Sequence, residues 1–223
     1  MAYFTKDYLD FFKELAANNN KDWFHANKKR YEAAVKNPFN AFVADMVKQT
    51  AAIDKRFEVD PKKAVFRIYR DVRFAKDKTP YKTSMSAAIV PGGRKDAMGV
   101  PGMYFEVGPE HFRFYSGLYA PEKDVLHKVR EYLVKHSAEL DSLIADKTFK
   151  TKFGELRGEK NKIIPKEFKA AAEKQPYIFN KQFYFYGQLK PNAILKDDFD
   201  KQVMDFFAAS EPMREFLTKA RGL

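Results

Sequence analysis

Apolar residues recur at helical spacing at both ends of the chain and at a spacing of two in the middle, and this change of period outlines the architecture. Tyr8, Phe11, Phe12 and Leu15 share one face of a helix that Thr5 can N-cap and that the run Asn18, Asn19, Asn20 ends. A second helix is predicted from Asp22 to Val35. Asn37-Pro38 then offers an N-cap and N1 pair for a third, whose face is Phe39, Phe42, Val43, Met46 and Val47, so that helices fill about 5–52. From Ala64 the alternation predicts an extended segment with Phe66, Ile68, Val72 and Phe74 on one side and Arg67, Tyr69, Asp71 and Arg73 on the other. Arg70 lands on the apolar side. It therefore calls for a bulge, a strand end or a carboxylate partner, because an unpaired buried guanidinium is too costly.

Further strands are predicted at 84–90, 103–107, 112–118 and 182–189. The glycine-bearing loop opened by Pro91-Gly92-Gly93 makes the first two a long-looped hairpin, and Gly108-Pro109-Glu110 turns the chain into the next strand. After Pro121 the helical period returns with Val125, Val129, Tyr132 and Leu133. Shorter helices are expected at 137–145 and 165–174. Two closing helices are expected, one carrying Phe199, Val203, Phe206 and Phe207 and the other Pro212, Met213, Phe216 and Leu217. Helices, then strands, then helices around one late strand predict a single α+β domain spanning 1–223. Its mostly antiparallel sheet, about 64–119 plus 182–189, is flanked by N-terminal and C-terminal helices.

With 22 Phe and 12 Tyr among 223 residues the chain can bury a large aromatic core, and without cysteine it has no disulfide framework, thiolate metal site or thiol nucleophile. No basic segment leads into an apolar run at the start, and no stretch approaches the ~20 apolar residues that span a bilayer, so the expectation is a cytoplasmic protein with no membrane partner.

Charge changes the picture in one place. The chain is +11, and from Lys62 to Lys82 eight Lys/Arg stand against only Asp71 and Asp77, so more than half of the excess falls in 21 residues. An anionic partner is the direct physical reading. The alternation also puts Tyr104, Glu106, His111, Arg113, Tyr115, Tyr184, Tyr186 and Gln188 on the same polar face as Arg67 and Arg73. Guanidinium groups fork onto phosphate oxygens and phenols stack or hydrogen-bond, which suits a phosphorylated ligand. The competing reading is that helices cover this face and that Asp71 and Glu106 satisfy its arginines internally. Pro80 disfavours helix at Thr79, so 75–83 is read as a loop that presents Lys76, Lys78 and Lys82, with Tyr81 as its anchor. No phosphate loop, dinucleotide fingerprint, HExxH or GxSxG occurs, and no cofactor or metal is called for. His127 and Glu131 are four apart, which fits a surface helical pair better than a metal site.

NNNKDWFHANKKRYE near the amino terminus together with FRIYRDVRFAKDKTPYKTSMSAAI resembles the domain-of-unknown-function family 2461, with further matches in GLYAPE, FGELRGEKNKIIPKEF and the late aromatic strand. The resemblance covers nearly the whole chain. Its motif positions here are Arg67, Arg70, Asp71, Arg73, Phe74, Asp77, Lys78, Pro80, Tyr81 and Lys82, with Asn19, Asn20, Trp23, Phe24 and Tyr31. It implies one α+β domain and carries no reaction over.

The resulting expectation is a pocket for a phosphate-bearing small molecule or nucleotide. Arg67, Arg70 and Arg73 hold the anion, Lys78 and Lys82 close over it, Asp71 orients the guanidinium groups and Tyr81 anchors the loop. A nucleic-acid-binding module is the alternative. An enzyme with Asp71 or Glu106 as general base is the third reading, and oligomeric state is left open.

Overall fold

A computed structural model describes residues 2–222. Helix α1 spans Lys6–Ala17 behind Thr5, whose side chain makes no capping bond, and buries the predicted Tyr8, Phe11, Phe12 and Leu15. The expected helix from Asp22 to Val35 is broken in two. Helix α2, Lys21–Ala26, starts where the Asn20 side chain accepts from the Trp23 N–H and stops at Asn27. A short turn Lys28–Arg30 and a π turn Tyr31–Lys36 then run without interruption into α3, Asn37–Ile53. Asn37 is itself helical (φ −68°, ψ −47°), so Asn37-Pro38 begins no new helix. A proline ring clashes with the carbonyl four residues back in a regular α-helix, and the wider turn directly ahead of Pro38 moves that carbonyl away.

Four strands form one antiparallel meander in the order β1, β2, β3, β4: Met85–Ile89, Met103–Val107, Phe112–Leu118 and Phe183–Leu189. Between β3 and β4 lie α4 (Lys123–Lys135), α5 (Ser137–Ala145), α6 (Lys147–Phe153) and α7 (Lys169–Lys174). The chain is thus α+β, with its helices gathered on one face of the sheet. Phe105, Phe112, Phe114, Phe183 and Phe185 point into that layer. There Phe42 meets Phe105 at 5.5 Å, Phe153 meets Phe185 at 4.8 Å and Phe206 stacks on Phe114 at 5.8 Å. No helix among the described residues is long and apolar enough to cross a membrane.

Two further sequence expectations are corrected. The closing helices are one helix, α8, Phe199–Ala220, which passes through Pro212. Proline removes the N–H that would bond the Ala208 carbonyl. Side-chain donors gather at that point: Ser210 Oγ donates to the Phe207 carbonyl at 2.7 Å and Arg214 Nη1 to the same oxygen at 3.1 Å. The extended segment from Ala64 to Phe74 is not a strand either. It makes only isolated bridges, Val65 with Ala87 and Tyr69 with Tyr81. Phe66 N–H donates to the Ser86 carbonyl (2.9 Å) along the outer edge of β1. The chain then turns back on itself, with Lys82 N–H on the Ile68 carbonyl (2.8 Å) and Arg70 N–H on the Pro80 carbonyl (2.9 Å). Because the backbone twists away from the sheet, the alternation stops assigning faces: Ile68 is buried, whereas Phe74 is 95% exposed. A matching irregular segment lies on the other edge, where Arg157 and Tyr184 exchange both backbone bonds (2.7 and 3.0 Å).

Candidate functional site

Among the described residues the second face of the sheet carries no α-helix, and its polar and aromatic side chains alternate as the sequence predicts. In register, Tyr104 faces Tyr115, Glu106 faces Arg113, and Tyr115 faces Tyr186. A cavity of about 450 Å³ opens on this face, a size ordinary for small-molecule sites. Its floor is Tyr104 and Glu106 of β2, Tyr115, Ser116 and Gly117 of β3, and Tyr184 of β4. Phe66 and Lys82 form one wall, and the loop between β1 and β2 forms the roof with Val90, Arg94, Met98 and Val100. The roof is tied across the sheet: the N–H groups of Tyr119 and Ala120 both donate to the Met98 carbonyl, at 2.9 and 2.7 Å. Gly117 sits on the floor at φ +119°, where a Cβ would come within 2.1 Å of the Phe183 carbonyl oxygen. No side chain can replace it without moving β4.

Two cations lie over the Phe66 ring, Lys82 Nζ at 5.4 Å and Arg94 Cζ at 5.1 Å from its centre, and Tyr104 meets the ring edge-on at 5.8 Å. Arg94 is held by donating to the Val65 carbonyl. Lys82 Nζ makes no hydrogen bond or ion pair among the described residues. Burial lowers its pKa; Glu106 opposes that shift, while Arg67 and Arg94 add to it. Tyr104 donates to Glu106 Oε1 at 2.7 Å, and its pKa is raised, chiefly by burial. Burial likewise raises Tyr115. Both phenols are therefore neutral hydrogen-bond donors at ordinary pH.

Of the seven residues singled out in the sequence, Lys82 lines this cavity. Tyr81, 2% exposed, stacks on Phe24 at 4.1 Å, and the Asn19 amide grips its backbone from both sides, accepting from the Tyr81 N–H at 3.1 Å and donating to its carbonyl at 2.9 Å. Arg70 finds its carboxylate partner in Asp77 (2.5 Å) and also donates to the Thr79 carbonyl at 3.1 Å. Thr79 N–H and the Arg70 pairing hold Asp77 down at a pKa of about 2. Arg73 forks onto Asp71 at 3.0 and 2.7 Å and lowers the pKa of its carboxyl, and both side chains are exposed. That environment suits an ion pair and works against Asp71 as a base. Lys78 Nζ donates to the Val72 carbonyl at 3.0 Å. Arg67 is exposed and has no hydrogen bond or ion pair among the described residues.

Sequence reasoning missed Phe66, which alternation put with the core side chains, and the contribution of the roof loop. Arg94 directly after Gly92-Gly93 was the available signal. A second hollow, of about 580 Å³, shares Tyr119 and Tyr184 with the first and is lined by Arg157, Tyr177 and Asn180. Beside it, two guanidinium groups lie over the Tyr186 ring, Arg157 at 4.3 Å and Arg113 at 5.4 Å from its centre. Among the described residues no group of three or more His, Asp or Glu is placed to hold a metal ion.

A family model described as conserved hypothetical protein (DUF2461) matches residues 7–216. No curated protein and no solved structure matches the chain.

Proposed function

The chain belongs to the DUF2461 family, and from the residues of its open sheet face we propose that it binds a small molecule with an anionic group, phosphate or carboxylate, and a flat apolar part. The observation that carries this is the pair of cations set over the Phe66 ring, Lys82 and Arg94, both lining a cavity floored by tyrosines. A half-buried ammonium without a hydrogen-bonding or ion-paired partner is costly, and an anion entering beside it recovers that cost as charge-assisted hydrogen bonds. Lys82 and Arg94 hold the anion, Arg67 adds to the positive field, and the rings of Phe66, Tyr104 and Tyr115 receive the flat part. Arg70, Asp71, Arg73, Lys78 and Tyr81 build the hairpin that positions Lys82. A nucleotide meets this description.

The test is calorimetry with adenosine monophosphate, phenyl phosphate and phenylacetate on the wild type, Lys82→Met and Arg73→Ala. A charge-assisted hydrogen bond is worth about 1.5–3 kcal/mol, so Lys82→Met should weaken binding at least tenfold, while Arg73→Ala leaves it near wild type. Absence of any binder, or equal affinity in Lys82→Met, sinks the proposal.

Tyr186, with two arginines over its ring, favours a second reading, single-stranded nucleic acid stacking along the tyrosine face. Filter binding of oligonucleotides across salt concentrations separates the two. Affinity that falls steeply with salt and is lost in Tyr186→Ala supports the polymer, whereas insensitivity to that substitution rejects it.

A further inference from the structure

Lysine is the chain's most abundant charged side chain, and almost every copy is exposed. Among the described residues Lys82 and Lys152 are the two lysines that are partly buried. Lys152 lies over the Phe206 ring at 5.1 Å on the helical side of the molecule, whereas Lys82 lines the cavity on the open face. Its backbone is fixed by the bond from its N–H to the Ile68 carbonyl and by the buried, clamped Tyr81 before it. An amine held in this way, in a half-closed aromatic site and without a counter-ion in contact, differs from a solvated surface lysine in the property that matters for covalent chemistry. More of it is unprotonated at neutral pH.

We infer that Lys82 is a nucleophilic amine, placed to condense with the carbonyl group of a small oxo acid or aldehyde-bearing anion inside the cavity. The choice of an anionic carbonyl rests on the anion-binding reading above; the reactivity of the amine does not. The groups facing Lys82 are Glu106 of β2, Arg67 of the edge segment, Arg94 of the roof loop and the phenols of Tyr104 and Tyr115. The two guanidinium groups disfavour a third positive charge, and Glu106 alone opposes them. In the reaction the nitrogen lone pair bonds to the carbonyl carbon as the C=O π pair moves to oxygen, which takes up a proton. Loss of that oxygen as water, with the remaining N–H proton passing to solvent in the open cavity, leaves an imine. Amine and carbonyl thus give imine and water with no change of oxidation state. Arg94, which shares the Phe66 ring and the cavity with the amine, is placed for the carboxylate of an oxo acid.

The experiment is reductive alkylation of the full chain at neutral pH with limiting aldehyde and cyanoborohydride, which fixes the imine as a secondary amine, followed by peptide mapping. Propionaldehyde, which is uncharged, reads the amine alone, and glyoxylate reads amine and anion site together. Lys82 should be alkylated by propionaldehyde several-fold faster than Lys152 and the exposed lysines, and its labelling should reach half-maximum at a lower pH than theirs. Glyoxylate should widen the preference. Lys82→Arg, which keeps the charge, should unfold at the wild-type temperature and lose the fast-labelled peptide. Preference for Lys82 with propionaldehyde and no gain with glyoxylate supports the nucleophile and counts against the anion site. Preference with glyoxylate alone assigns the rate to binding and overturns the nucleophile. Labelling of Lys82 no faster than the exposed lysines with either reagent overturns it as well.

Discussion

Asp77 shows how much of the basic hairpin's charge is spent internally. Its carboxylate accepts from the Thr79 N–H at 2.9 Å and from Arg70, and these partners hold its pKa at about 2 against an ordinary 3.8. A carboxyl whose pKa is depressed by folding contributes stability that is fully present above its unfolded value and lost as pH falls through the folded one. Thermal unfolding followed between pH 5 and pH 2 should therefore show an acid-side decline below about pH 4 that is shallower in Asp77→Asn. The same slope in both proteins would mean that the hairpin is already open under those conditions. The sequence disclosed that Arg70 needed a partner. It could not disclose that the partner sits seven residues on, because that depends on the chain folding back at Pro80. Nor could it separate Lys82 from Arg73, two cations of one motif, of which one lines a cavity and the other is neutralised two residues away.

At the level of elements, periodicity identified the faces of α1, α3, α4 and α8 and the four strands to within a residue or so, because each buries one side in a single aromatic core. It failed where context supplied what local propensity withholds. Pro38 and Pro212 both read as boundaries, yet a π turn carries the chain past the first and side-chain donors surround the second. Arg214 is the centre of that second arrangement. It is 3% exposed, stacks over Phe207 at 4.0 Å and Phe57 at 5.1 Å, and donates to the Phe207 carbonyl and to Ser210 Oγ, the latter at 2.8 Å. Burial lowers its pKa to about 10, so it stays charged at neutral pH. Truncation leaves a void and unpaired acceptors, and Arg214→Ala should cost about 2–4 kcal/mol in urea unfolding. A loss below about 0.5 kcal/mol would show that Pro212 needs no such support. The segment 64–74 failed for a different reason. Alternation reports an extended backbone, but only a partner strand makes it a strand, and past Ser86 the chain leaves β1.

Taken whole, the molecule is a two-layer structure in which one face of the sheet is sealed by helices and the other is covered only by irregular chain: the 65–82 hairpin, the roof loop and the 155–162 segment. The packed core and the open cavity are therefore divided between the two faces. Amide exchange should be slow throughout β2 and β3. It should be fast at Tyr119 and Ala120, whose bonds to Met98 hold the roof in place, and slow there when phenyl phosphate occupies the cavity. Protection at both amides without ligand would mean a roof closed to exchange of contents.

The two irregular segments also finish the margins of the sheet. Val65 and Phe66 take up backbone groups of β1, and residues 157–161 pair with 179–184 ahead of and into β4. A strand margin left bare is a template for another molecule's strand, and natural sheets resist aggregation by keeping such lengths short or covered. Both outer strands here are partly occupied by the chain's own backbone, and Lys82 belongs to the same hairpin that covers one of them. The segment that equips the cavity thus also guards the protein against polymerising through its sheet.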